Sequence, residues 1–477
     1  MVLKFTDLSK SQKAFVRMSR DIGISEFTIV ENPSYIYRPF DIYIMAPKVL
    51  APRKKISGIV KDMDGTTTTT EELCVHSLEF MVGRICNLEK DPSAEKGGAW
   101  KGFDEPDHPN VIGNSTTKHV EYLIQRYGDR INFPAFRRSY YYAVLWTISQ
   151  GKDPGRREEV LAGLSALGAQ DILKERCVQS FLARSRFDTN EGEKIAETLC
   201  RKYKDVPRLK AFADRVRAAI DVYYQRYHEI LDAISQGRGD ALSSQILHKP
   251  GARLIEPMPG VAIFLACVKG WLGEHLALFG DQLRELLQLR PKAKIAPGDL
   301  VRGISLLGPL GRFFEKNPVP VAVVTSSIEY EARIVLTEVF KILKRQAEEW
   351  AIPLKRKEKI VHLFSDYNRT YNAFITASDS SEIRLKPHPD LYSLALHRMG
   401  ISGEDFDSVI GFEDSESGTR AIRSAGIGLC VALPFPFTKG HDLSAAAYRL
   451  EGGLPEAILK YSLFMDSKVL RKRTGIE

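Results

Sequence analysis

From about residue 295 onward the chain alternates helix-like and strand-like runs, while one further strand-like run, ISGIV at 56–60, stands far upstream of them. LVRGISLLGPLGRFFEK reads as a helix, VPVAVVTSS as a strand and EYEARIVLTEVFKILKRQAEEW as a helix. NAFITAS, DSVIGFED and IGLCVAL read as strands, separated by the helical PDLYSLALHRMG and SGTRAIRSAG. Strands that alternate with helices return to one sheet in parallel, with helices covering both faces. Between the upstream strand and this block, residues 70–250 show apolar residues at helical spacing, as in EELCVHSLEFMVGRI and RLKAFADRVRAAIDVYYQRYHEILDAIS. The expected fold class is α/β: a Rossmann-like parallel-sheet core, opened after its first strand by a large, mostly α-helical insert.

The domain plan follows. Residues 1–55 form an N-terminal extension, in which FTIVENPSYIYRPFDIYIMAP is strand-like and expected to pack on the core. Residues 56–69 and 296–477 form the core, and 70–295 the insert. A chain of 477 residues is long enough for two or three such units.

Composition excludes little but excludes it firmly. With 44% hydrophobic and 27% charged residues the chain is globular, not disordered. The six cysteines are scattered without a CxxC pair, which argues against structural zinc and for a reducing compartment. The N-terminus has no apolar signal core, and the most apolar segment, GVAIFLACVKGWLGEHLALFG, carries Lys269, Glu274 and His275 and reads as a buried helix. A cytoplasmic location is expected, with no membrane partner. A net charge of +8 on this length suits small anionic substrates as well as an anionic partner. The segment KILKRQAEEWAIPLKRKEKIVHL (341–363) reads either as a basic interaction surface or as a solvated helix of mixed charge.

Four loops fall just after predicted strands, where open α/β sheets place their active sites. They carry Asp62-Met63-Asp64-Gly65-Thr66, Thr325-Ser326-Ser327, Lys386 in RLKPHPD, and Glu413-Asp414-Ser415. Taken singly, each has a plain explanation: an Asx turn, a surface lysine, a helix N-cap. Together, carboxylates converging on one cleft repel unless a divalent cation sits among them. Oxygen-only ligands suit Mg²⁺. One lysine and one hydroxyl complement the equatorial oxygens of a phosphoryl group.

In order, DMDGT, the strand ending at Thr325, the lysine of LKPHPD and GFEDSESG resemble the four motifs of the haloacid dehalogenase-like (HAD) superfamily. KPHPDLYSLAL followed by EDSESGTRAIRSAG is most similar to its β-phosphoglucomutase-like branch. The resemblance implies Asp62 as nucleophile through an aspartyl-phosphate, and Asp64 as acid and then base. Thr325 would bind the phosphoryl oxygens and Lys386 would neutralise charge. It implies Mg²⁺ held by Asp62, Asp414 and the Asp64 backbone carbonyl, with Glu413 as a direct or water-mediated ligand. Ser326, Ser327 and Gly65 are expected beside the phosphate. The implied activity is a Mg²⁺-dependent phosphatase acting on a small phosphorylated metabolite, with nucleic acid not expected as a partner. Two alternatives stand beside it: a sugar-phosphate mutase using the same intermediate, and a non-catalytic nucleic-acid- or partner-binding protein.

The chain departs from that branch in two places. Cys74 stands where the mutase-like pattern carries a His ten residues after the second Asp, and His76 comes two residues too late, which favours hydrolysis. The cap is far larger than usual, and both PGVAIFLACVKG (259–270) and PGDLVRGISLLG (297–308) resemble the helix that leads back to the core. The second, nearer Thr325, is expected to be the return point. In the cap, Asn114 and Lys118 of NVIGNSTTKHVEYL are candidate substrate-binding residues; equally, Ser115 or Thr116 is a plain N-cap there. In the threonine run, Thr67 and Thr68 are expected in a short hairpin, and Thr69 with Glu72 in a capping box opening the first cap helix.

Overall fold

The computed structural model describes residues 13, 26–32, 39–52, 55–88, 100–113, 115–184, 186–290, 292–293, 295–379, 383–460 and 463–464. An antiparallel hairpin, β1 (Phe27–Glu31) and β2 (Phe40–Ile44), leads to the first core strand, β3 (Gly58–Asp62). After it a short strand, β4 (Thr68–Thr69), opens a run of helices: α1 (Glu71–Cys86), α2 (Thr116–Arg126), α3 (Phe133–Gln150), α4 (Pro154–Ala166), α5 (Arg176–Leu182), α6 (Thr189–Lys202), α7 (Phe212–Ala233) and α8 (Gly239–Ile246). The chain comes back through β5 (Glu256–Pro257) and α9 (Val261–Val268), then α10 (Gly280–Gln288), α11 (Pro297–Ser305) and α12 (Leu307–Lys316). The remaining core is β6 (Val321–Val324), α13 (Glu329–Glu348), α14 (Leu354–Leu363), α15 (Tyr367–Thr370), β7 (Ala373–Ile375), α16 (Asp390–Arg398), β8 (Val409–Glu413), α17 (Glu416–Ser424), β9 (Leu429–Ala432), β10 (Tyr448–Arg449) and α18 (Gly453–Leu459).

Six strands form one parallel sheet in the order β10-β9-β8-β3-β6-β7, with β3 at its centre. Ile59 lies opposite Val321 on one side and Ile410 on the other. The strands are apolar runs because both faces are covered. Ile59, Val321, Val323, Ile410 and Phe412 pack into the larger core on one face, while Val60, Ala322, Val324 and Val409 pack into a second on the other. The α/β core with a large helical cap is therefore the observed architecture.

The threonine run is organised differently from expectation. Thr68–Thr69 pairs not with a local return strand but with Glu256–Pro257, so that the two crossings between core and cap lie side by side. Thr70, not Thr69, is the residue before α1. The Thr69 hydroxyl accepts from Glu256 N at 3.2 Å, which takes it out of any capping box.

We propose that the return from the cap comes earlier than residue 296. Phe264 of α9 packs edge-on against Phe412 of β8, with ring centroids 5.2 Å apart, and Val319 N donates to Val268 O at 2.9 Å. Both Pro-Gly helices lie beyond the β4–β5 crossing, and we propose 70–255 as the cap, with core from 256 onward. Nearness to Thr325 in sequence misleads because residues 270–316 only add a helical layer over the same face of the sheet.

The hairpin is fixed to the core through Arg423 of α17. This buried guanidinium donates to Ala46 O at 2.7 Å and to Ala445 O, and it pairs with Glu26. The basic segment 341–363 forms the end of α13 and α14, with Leu343, Ala347, Trp350 and Ile360 buried beneath a surface where Lys341 meets Glu338 at 2.6 Å. The other basic run, KVLRKR, lies outside the described residues. Among the described residues no helix is long and apolar enough to cross a membrane.

Candidate active site

The motif residues meet at the carboxyl ends of β3, β6 and β8, beside the loop that follows β7. Asp62 is the last residue of β3 and is buried. Lys386 pairs with it and also donates to Glu413 Oε1 at 2.8 Å. Burial opposes the charge on Lys386, but Asp62 and Glu413 together hold the ammonium above its ordinary range.

Glu413 has both carboxylate oxygens occupied by protein donors. Oε1 also accepts from Tyr392 OH at 2.9 Å, and Oε2 accepts from Asp414 N at 2.9 Å, Ser415 N at 3.0 Å and Ser415 Oγ at 2.9 Å. Burial pushes Glu413 up, yet Lys386 and the Ser415 donors bring it below the usual carboxylate range. Asp414 lacks such support, its one side-chain bond among the described residues being a long 3.4 Å contact from Thr66 Oγ1. Burial and the neighbouring Glu413 drive both Asp62 and Asp414 well above ordinary aspartates. The site is short of positive charge. Ligand oxygens of Asp62, Glu413 and Asp414 lie within 4.8 Å of one another, so this buried cluster fits a hard divalent cation.

Asp64 is turned away from that cluster. Oδ1 accepts from Thr70 Oγ1, and Oδ2 accepts from Thr325 Oγ1 at 2.9 Å and Ser327 Oγ at 3.5 Å. Burial raises its pKa, with the Thr70 and Thr325 bonds only partly offsetting that. Gly65 has φ 77°, and a Cβ there would meet Asp414 Oδ2 at 2.4 Å and Glu71 Oε1 at 2.6 Å, so only glycine lets these groups close up.

Above these groups lies a cavity of about 210 Å³, lined on its far side by the cap. Ile112, Gly113 and Ser115 reach it from the loop before α2, Thr116 and Thr117 from the first turn of α2, Cys74 from α1, and Tyr223, Tyr224 and Tyr227 from α7. Gly113 sits hard against the core: its carbonyl accepts from Ser417 Oγ, and at φ +74° a Cβ would meet the His441 ring at 2.6 Å. Ser326 and Ser327 line the cavity. Lys118 does not. In the first turn of α2 it faces the opposite way, donating to Asn32 O at 3.2 Å and pairing with Glu121 at 3.7 Å. Asn114 lies outside the described residues.

Glu71, Glu331, His119 and the three tyrosines also line the cavity, and the sequence offered little to single them out. Tyr-Tyr-x-x-Tyr in an amphipathic helix has the spacing of an ordinary core face. His388 and His76 lie off the site: His388 Nδ1 meets Tyr43 OH at 2.7 Å, and His76 Nε2 meets Arg226 at 3.4 Å.

No family model and no curated protein matches the chain. Solved structures do. CbbY from Rhodobacter sphaeroides in complex with phosphate is 13% identical over 85% of this chain and 96% of its own, with a TM-score of 0.36. β-Phosphoglucomutase from Clostridium difficile is 11% identical over 87% and 96%, with a TM-score of 0.32. Identities and TM-scores this low carry neither a family nor a residue role across. The parallel strand order, with the four sequence motifs meeting at its carboxyl edge, is that of an open α/β core.

Proposed function

We propose that the protein is a Mg²⁺-dependent phosphatase that hydrolyses a small phosphorylated metabolite through a phospho-Asp62 intermediate. One observation carries this reading: Asp62 and Asp64 stand two residues apart but in opposite environments, one against Lys386 and the acidic cluster, the other against hydroxyls. That separation suits a nucleophile beside a proton donor.

An Asp62 oxygen attacks phosphorus and the bond to the ester oxygen breaks. Asp64, whose carboxyl burial raises above an ordinary aspartate, gives a proton to the departing alkoxide. Water then attacks the aspartyl-phosphate, Asp64 takes the water proton, and the Asp62 carboxylate leaves with release of phosphate. Lys386 offsets charge on Asp62 and the phosphoryl oxygens throughout. Asp62 and Asp414 would hold Mg²⁺, with Glu413 bracing them; the ion would neutralise phosphoryl charge and orient the ester.

Cys74 argues against the mutase alternative. Burial pushes its thiol up to about 12, and it meets Tyr223 OH at 3.5 Å, so it does not serve as a proton relay at neutral pH. With Mg²⁺ and a panel of phosphate monoesters, the wild type should release phosphate and Asp62→Asn should not; full activity in that variant would end this reading.

A further inference from the structure

The distal half of the cavity is acidic and aromatic, and among the described lining residues Lys386 is the one lysine or arginine. That ammonium is already committed to Asp62 and Glu413. The one lining imidazole, His119, is buried and held neutral, its pKa lowered by burial to about 3. No further cation remains among the described lining residues for a second phosphate or a carboxylate on the substrate; the polar groups of Ser115, Thr116 and Thr117 at the start of α2 are neutral.

Two polar groups in this half stand without partners although nine-tenths or more of each residue is buried. The Tyr227 hydroxyl, on a residue 6% exposed, has no hydrogen-bond partner among the described residues. Glu331, 4% exposed, uses Oε1 to meet His228 Nε2 at 2.7 Å, and Oε2 has no partner among the described residues. His228 does not line the cavity. Both residues line the cavity, where these oxygens are open to a donor on a ligand. Tyr223 and Tyr224 complete the wall, and an acceptor set of carboxylate and tyrosine suits a protonated amine.

We infer that the substrate is a small phosphate monoester whose alcohol carries a protonated amine, received by Glu331 and Tyr227, and that doubly anionic esters are excluded. This rests on the phosphatase reading and narrows its substrate class. An amine there forms a buried ion pair, whereas a carboxylate would face Glu331 as a like charge.

The test compares aminoethyl, hydroxyethyl and carboxymethyl phosphate, with p-nitrophenyl phosphate as a reporter of catalysis alone. The amino ester should exceed the hydroxy ester in kcat/KM by about tenfold and the carboxy ester by about a hundredfold. Glu331→Gln should bring the ratio of amino to hydroxy ester to about one. A carboxy ester or sugar bisphosphate handled as well as the amino ester overturns the inference, as does an unchanged ratio in Glu331→Gln. Titration of Asp62→Asn with each ester in Mg²⁺ decides independently of turnover. Tighter binding of the amino ester supports the inference, and equal, reversed or absent binding overturns it. Silence of the wild type toward every ester, p-nitrophenyl phosphate included, instead overturns the phosphatase reading.

Discussion

Lys386 Nζ donates to Glu413 Oε1 at 2.8 Å while the same ammonium pairs with Asp62, so one cation ties the proposed nucleophile to the acid of the fourth motif. Removing it leaves two buried carboxylates uncompensated, which costs on the order of 3–5 kcal/mol in comparable buried pairs. Lys386→Met is expected to lower both the urea midpoint and kcat, the latter by at least about a hundredfold. Near-normal turnover in the folded fraction would show that Lys386 acts only structurally.

Glu413 and Asp414 should separate under titration with Mg²⁺. Glu413 spends its oxygens on Lys386, Tyr392, Ser415 and the Asp414 amide, whereas Asp414 has one long bond from Thr66. Asp414→Asn should therefore raise the Mg²⁺ concentration for half-maximal activity by about ten- to a hundredfold. Glu413→Gln should chiefly lower thermal stability. Equal Mg²⁺ dependence in the two variants would contradict this division.

Asp64 accepts from Thr70 and Thr325 and does not join the acidic cluster, the placement expected of a proton donor to the leaving oxygen. Asp64→Asn should slow alkyl phosphates by about 10²–10⁴-fold. p-Nitrophenyl phosphate, whose phenolate leaves without a proton, should lose far less in the first step. Burst kinetics would then show a retained first turnover with slow dephosphorylation; an equal loss on both ester types would count against the acid role.

The core was legible in the sequence because its chemistry sits at strand ends. Asp62, Thr325 and Asp414 follow apolar runs, and a parallel sheet carries such residues to one edge whatever lies between them. Cap residues enjoy no such rule. Lys118 was a reasonable candidate by charge, yet the first turn of α2 points it at Asn32, while Tyr227 and Glu331 come together from helices about a hundred positions apart (roughly a quarter of the chain) only through tertiary packing. The return from the cap was obscured for a similar reason. Two Pro-Gly helices look alike, and the pairing of Thr68–Thr69 with Glu256–Pro257 is what supports a crossing back at residue 256.

The N-terminal hairpin should contribute stability through Arg423 without affecting chemistry. The guanidinium is fully buried and donates to the carbonyls of Ala46 and Ala445, while its carboxylate partner Glu26 is 38% exposed. Arg423→Met, which strands buried carbonyls, should cost about 3 kcal/mol in urea unfolding. Glu26→Gln should cost less than about 1 kcal/mol, because solvent screens that partner. Both should keep wild-type kcat.

His119 supplies a pH dependence whose sign can be worked out. Burial, with His441 nearby, lowers its pKa from 6.5 to about 3, so the folded chain keeps the imidazole neutral while the unfolded chain protonates it. Between those values the unfolded state binds more protons, and stability therefore falls as pH falls. The contribution is complete above ~pH 6.5 and is lost progressively on acidification toward ~pH 3. Between ~pH 7.5 and ~pH 5, wild type should lose about 2 kcal/mol more than His119→Asn in urea unfolding, since each pH unit within the window is worth about 1.4 kcal/mol. Other buried groups titrate in both proteins and cancel in this difference. Parallel stability curves for the two would mean that His119 is already protonated in the fold or stays solvated.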